Sequence, residues 1–259
     1  MGQDDFQVIP FPKIRLGAID LLRKGHQMHI IHCLMEVDVT KPRQFIREHK
    51  SRTGEALSFT AFIAICLAKA VDENKMTHAY RDWGNRLIVF DEVDVNTMIE
   101  REAGGKKMGT PHILRAVNKR SFREIHQEIR AAQATAVEQA EFKVMRWYLW
   151  LPGFTRGFLW WILGKSPHLW KRYGGTVAIT AVGMFGTGNA WGIPVSCNTL
   201  TLTIGGIVEK PGVVDGKIEI REYLCMTISF DHDIIDGAPA ARFAQQLTGL
   251  IENSYGLCD

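Results

Sequence analysis

The chain has 259 residues, of which 46% are apolar and 23% charged, with a formal net charge of +3. That is material for one large globular domain or two small ones, and a charge this small leaves no electrostatic footprint for nucleic acid. No run of Lys and Arg supplies such a footprint locally, and no stretch reaches the roughly 18 apolar residues that cross a bilayer. Five scattered cysteines (Cys33, Cys66, Cys197, Cys225 and Cys258) with no CxxC spacing read as a reduced, cytoplasmic chain rather than a disulfide framework. Met1-Gly2-Gln3-Asp4-Asp5 lacks the basic start and apolar run of a signal peptide.

In chain order, residues 1–12 read as an extended arm restricted by Pro10 and Pro12. Ile14, Ala18, Leu21 and Leu22 fall on one face of a helix over 13–24. Residues 30–39 read as a strand, and Thr40 is expected to cap a helix with Pro42 in its first turn. After a break at Thr53-Gly54, Ser58 caps a helix over 59–71 that is apolar almost all round, the mark of a buried central helix. Strands are expected over 87–95 and 113–117. Ser121 and Glu124 then form a capping box for a helix of roughly 18 residues. Residues 176–180 and 200–204 alternate apolar residues with Thr or Ala. Asp215-Gly216 is a turn between Val213-Val214 and Ile218–Ile220. In the strand over 223–230, Leu224, Met226, Ile228 and Phe230 share one face and Cys225, Thr227 and Ser229 the other. A helix from about Pro239 closes the chain. Mixed strands and helices with no βαβ repeat predict a two-layer α/β sandwich, not a doubly wound sheet.

Residues 141–172 stand apart. They hold Trp147, Trp150, Trp160, Trp161 and Trp170 among basic residues, with Glu141 the one acid. Three readings stay open. The segment is a helical hairpin buried in the fold or at a subunit interface, a lid or wall around an apolar acyl chain, or an interfacial segment resting on a membrane surface.

Phe230-Asp231-His232-Asp233-Ile234-Ile235-Asp236-Gly237 joins the last strand to the last helix. A histidine just past a rigid strand is held in one orientation, and its ordinary pKa of ~6.5 suits it to take a proton from a thiol or hydroxyl near neutral pH. Asp236-Gly237 starts the helix, where Asp is suited to cap it or to pair with a cation. His-x-x-x-Asp-Gly alone is a weak motif. Ser229–Ala238, however, resembles the signature of the dihydrolipoamide acyltransferases, the core components of 2-oxo acid dehydrogenase complexes, and chloramphenicol acetyltransferases carry a similar His-x-x-x-Asp-Gly. Ile14-Arg15, His32 with Glu36-Val37-Asp38-Val39, Leu57–Ala70, Ala116–Ser121 and Ile179–Gly186 resemble further family segments, in the family's order.

The resemblance implies a single acyltransferase catalytic domain over 1–259 with an aromatic-rich insertion at about 141–172. The implied fold is chloramphenicol acetyltransferase-like, with the active site between subunits of a homotrimer. His232 would be the general base and Thr180, in place of the family's serine, the oxyanion donor. Arg15 and Asp236 would form an ion pair steadying the histidine loop, and His32 is expected to be structural. Coenzyme A would be a substrate, with no metal. No lipoyl or subunit-binding domain is read from the chain, so the acyl group is expected on a separate lipoyl or other carrier, or as a free thioester. Asp233 replaces the family's usual Arg, and Ser196-Cys197-Asn198 its Asn-Pro-Pro. The C-terminus lacks the apolar tail that joins trimers, so a free trimer is expected, or a cubic assembly if 141–172 supplies the contacts. Two alternatives remain: acyl transfer to a small-molecule hydroxyl or amine, and a non-catalytic, cage-forming assembly protein.

Overall fold

The computed structural model describes residues 6–103, 106–135, 147–182 and 188–257, with the side chains of 103 and 106–108 excepted. Strands β1 (Ile30–Asp38), β4 (Val95–Ala103), β5 (Lys106–Leu114), β6 (Val177–Ala181), β7 (Leu200–Val214) and β8 (Lys217–Asp231) form one sheet in the order β1-β8-β7-β6-β4-β5. The β1–β8, β8–β7 and β4–β5 pairs are antiparallel, whereas β6 runs parallel to both β7 and β4. Two short strands, β2 (Tyr80–Arg81) and β3 (Leu87–Ile88), pair separately.

One sheet face carries the core. Val95, Val177, Ile179, Leu200, Leu202, Leu224, Met226, Ile228 and Phe230 are buried there, each two residues from the next on its strand. Helix α3 (Phe59–Glu73) packs against α4 (Phe122–Ala134) and α7 (Gly237–Glu252), while α2 (Thr40–Thr53) borders α7. Every residue of α3 from Ala61 to Ala68 is buried, as its all-round apolar pattern requires. Ser58 accepts the Ala61 N–H at 3.2 Å, and Ser121 and Glu124 form the expected capping box.

The structure departs from the sequence reading in several places. Helix α4 ends at Ala134 after 13 residues, short of the roughly 18 expected. Thr40 is the first helical residue of α2, not its cap. Asp38 Oδ1 instead accepts both its N–H and its hydroxyl, at 2.9 and 2.6 Å. The run expected as a strand over 87–95 breaks after Ile88, and β4 starts only at Val95. Its partner β5 begins well before the strand expected at 113–117, because the charged residues of this ribbon hide its alternation. Finally, two expected short strands fuse into the single 15-residue β7, which passes Gly205-Gly206 through a register shift between Ile204 and Ile207. The Asp215-Gly216 turn forms as expected, with φ of 49° and 77° at its two residues.

The second sheet face is polar yet covered. Thr201, Thr203, Thr227 and Ser229 are buried on it. Residues 188–198 lie across this face: Trp191 Nε1 donates to the Met35 carbonyl at 3.0 Å, and the hydroxyls of Ser196 and Thr201 are 2.6 Å apart.

Glu55 clips α2 to α4. Its carboxylate accepts from Arg123 at 2.7 and 2.8 Å and lies 3.1 Å from His49 and 3.2 Å from His126. These partners, Arg123 first and His49 next, hold its pKa down to about 2 from an ordinary 4.5. A depressed carboxylate pKa contributes stability that is present above the unfolded value and lost as pH falls through the folded one. Glu55→Gln should therefore flatten the loss of urea-unfolding midpoint between pH 5 and pH 2 relative to the wild type; parallel pH curves would show that the clip carries no such linkage.

Candidate active site at the end of strand β8

Strand β8 is hydrogen-bonded on both sides, to β1 and to β7, so its C-terminal end has little freedom. There the Asp231 N–H donates to the Thr199 carbonyl at 2.9 Å, and the His232 N–H to the His29 carbonyl at 2.8 Å. Asp231 then organises the turn. Its carbonyl accepts the N–H groups of Ile234 and Ile235 at 3.1 and 3.0 Å, and its carboxylate accepts that of Asp233 at 3.1 Å. Burial raises the Asp231 pKa. Ile235 is 3% exposed and anchors the turn in the core. The backbone under His232 is thus fixed by neighbours on three segments, while its side chain is exposed.

Asp233 does not face solvent alone: its carboxylate lies 2.9 Å from His29 Nδ1. His32 Nδ1 lies 2.8 Å from Ser229 Oγ, and the residue is exposed. Asp236 occupies the N-cap position of α7 with extended backbone, but its carboxylate makes no capping bond. The expected Arg15–Asp236 ion pair does not form within the chain. Both side chains are exposed, where holding two charges in one geometry gains little over water.

Thr180 lies on β6, half-buried, beside Thr203 of β7, which in turn pairs with Thr227 of β8. His232 is five residues beyond Thr227. At ~3.3 Å per residue and ~4.8 Å per strand spacing, the two groups are separated by roughly 17 Å along the sheet and by two strands across it. A hydrogen bond spans about 3 Å. One chain therefore cannot bring His232 and Thr180 to the same reacting atom. The Gly183–Gly186 part of the motif following Thr180 lies outside the described residues.

The tryptophan-rich segment docks on the same side as the histidine turn. After a helical turn at 147–150, helices α5 (Gly153–Lys165) and α6 (Pro167–Gly174) follow, and α5 packs on α1 (Arg15–Gly25). The contact centres on Asp20, which is 5% exposed. It accepts from Arg156 Nε at 2.9 Å and from the Tyr148 hydroxyl at 2.6 Å, and Trp160 Nε1 donates to that hydroxyl at 2.7 Å. Trp161 meets Trp83 edge-on at 4.9 Å. On the outside, Trp147, Trp150, Phe154 and Phe158 are exposed, so within one chain the segment is a half-buried layer and not a buried hairpin. Residues 141–146 lie outside the described residues. No helix of the described residues is long and apolar enough to cross a membrane.

Sequence reasoning missed the cavity between this layer and α1. Gly157, Trp160, Trp161 and Gly164 line it at helical spacing, a signal that was present. Lys24, which also lines it, carried none.

A mixed sheet with helices on its core face, ending in the histidine turn of β8, defines the chloramphenicol acetyltransferase fold class. A solved chloramphenicol acetyltransferase superposes with a TM-score of 0.52 at 15% identity, covering 95% of this chain and 99% of that one. Within this class, the chain belongs to the 2-oxoacid dehydrogenases acyltransferase (catalytic domain) family, whose profile matches residues 3–143 and 171–258. The intervening residues 144–170 lie outside the match. The chain is 26% identical over 252 residues to the dihydrolipoyllysine-residue succinyltransferase component of the 2-oxoglutarate dehydrogenase complex of Staphylococcus epidermidis, covering 94% of this chain and 52% of that protein. It thus spans about half the length of the curated relatives it matches. The probable dihydrolipoamide acetyltransferase of Listeria monocytogenes shares the fold, with a TM-score of 0.71 at 21% identity and 97% coverage of both chains.

Asp20 and Arg156 are both buried, so removing one leaves the other charge uncompensated. Asp20→Ala should cost about 3 kcal/mol in urea unfolding, and adding Arg156→Met should recover part of it. A single variant as stable as the wild type would show that the insertion does not depend on this pair.

Proposed function

We propose that this chain is a coenzyme A-dependent acyltransferase whose active site is assembled between subunits of a homotrimer, with His232 from one chain and Thr180 from another. The observation that carries this reading is the separation of the two residues. A fixed turn presents an exposed imidazole, a strand hydroxyl sits two strands away, and neither reaches the other's substrate within one chain. Family membership supplies the reaction class.

In this reading the His232 imidazole takes the proton from the coenzyme A thiol. The thiolate attacks the carbonyl carbon of an acyl thioester on a dihydrolipoamide-type carrier, and the carbonyl electrons move to oxygen. Thr180 Oγ1 donates a hydrogen bond to that oxyanion. Collapse reforms the carbonyl and expels the carrier thiolate, which recovers the proton from His232. Threonine keeps the serine-type donor but adds a methyl group and a stiffer χ1. The same steps run backwards from acyl-coenzyme A. Asp233, bonded to His29, replaces a basic neighbour of the base with an acidic one. Its charge disfavours anionic groups next to the imidazole and favours a neutral acceptor thiol.

His232→Ala should lower acyl transfer on the order of 10²-fold or more, with the trimer intact. Thr180→Val should lower kcat with little change in KM. Mixed trimers of His232→Ala and Thr180→Val chains should regain part of the activity, because some interfaces then pair an intact histidine with an intact threonine. Absence of such complementation, with both parents impaired, would place the two residues in separate roles. A full-rate His232→Ala enzyme would remove the mechanism altogether.

A further inference from the structure

Between α1, the inserted helix α5 and the histidine turn lies an open cavity of about 460 Å³, within the size range of small-molecule sites. Its walls take in Asp231 and Asp233, the neighbours of His232, but not His232 itself. It therefore lies beside the candidate catalytic group and is a different space. Much of the wall comes from Gly157, Trp160, Trp161 and Gly164, all within the segment that the family profile does not match.

The charges of this wall are unequally partnered. Its three carboxylates are all engaged. Asp20 is held by Arg156 and Tyr148, Asp231 accepts the Asp233 N–H, and Asp233 pairs with His29. Arg23 also turns to Asp20, at 3.4 Å. Lys24, Lys165 and Arg81 line the same cavity and form no ion pair with any carboxylate among the described residues. Lys24 is half-buried, and its ammonium lies 5.0 Å over the Trp170 ring. A Cβ on Gly164 would come within 3.0 Å of that ammonium, so the glycine leaves the lysine its path. Burial pushes the Lys24 pKa down, against the opposing charge of nearby Asp231, which forms no direct ion pair with it. Beside these cations, Trp160, Trp161, Met28 and Ile234 offer apolar surface.

We propose that this cavity binds an amphipathic organic anion, its carboxylate or phosphate head against Lys24 and Lys165 and its hydrocarbon body along Trp160 and Trp161. An anion gives Lys24 and Lys165 the direct ion pair that neither forms among the described residues, and the indole faces give a hydrocarbon body apolar surface to cover. The binding does not depend on acyl transfer.

The test uses the full chain in its native oligomer and titrates octanoate, octyl phosphate and 1-octanol by calorimetry, with tryptophan fluorescence as a second signal. Octanoate, octyl phosphate or both should bind at least tenfold more tightly than 1-octanol, and the difference between the two anions identifies the head group. Lys24→Met should weaken anion binding at least tenfold while leaving 1-octanol unchanged. Gly157→Phe, at a position whose Cβ would meet open space, should fill the cavity and weaken all three probes. His232→Ala should bind the anions as the wild type does, which separates this site from the catalytic reading. If Lys24→Met fails to fold, Gly157→Phe carries the test. No anion binding by the wild type, equal affinity for 1-octanol, or unchanged affinity in the folded variants would overturn the proposal.

Discussion

Everything at the candidate site depends on the two antiparallel ladders that grip β8. A strand bonded on both sides loses the freedom to slip, since a shift of one residue would turn Leu224, Met226, Ile228 and Phe230 out of the core. The core therefore fixes the register, the register fixes where β8 ends, and the end fixes His232. Asp231 converts that strand end into a turn by accepting three backbone N–H groups. The backbone of the turn is held because the hydrophobic face of the strand that leads into it is held.

The same register that builds the site also divides it. Parallel pairing of β6 with β7 carries Thr180 to the level of Thr227, well short of the end of β8. Sheet geometry alone then keeps His232 and Thr180 of one chain apart. Association under this reading is a condition of the chemistry, and not merely a way of burying surface.

Legibility in the sequence followed how local each signal was. The buried α3, the Ser121–Glu124 box, the Asp215-Gly216 turn and the alternation in β8 were readable because residues a few positions apart determine them. The β4–β5 ribbon was not, because Glu100, Arg101 and Glu102 sit where apolar alternation would announce a strand. Thr40 was misassigned because Asp38, two residues earlier, accepts both its N–H and its hydroxyl. At the candidate site, the placement of His232 between a strand and a helix was readable from the patterns on either side of it. The lack of an Arg15–Asp236 contact was not, since an ion pair between distant segments depends on where two exposed side chains finally point. The cavity beside the turn required knowledge that α5 packs on α1, a long-range fact that no window of sequence contains.

The Asp20–Arg156 pair shows how the tryptophan-rich segment is committed to one position. Apolar packing alone tolerates sliding, because one aliphatic contact replaces another at little cost. A buried carboxylate that accepts from a guanidinium and a phenol at once permits one placement only. Helix α5 is thus tied to α1 by two residues that are each a liability alone: loss of either leaves the other charge buried and uncompensated, so the two helices hold one another's placement.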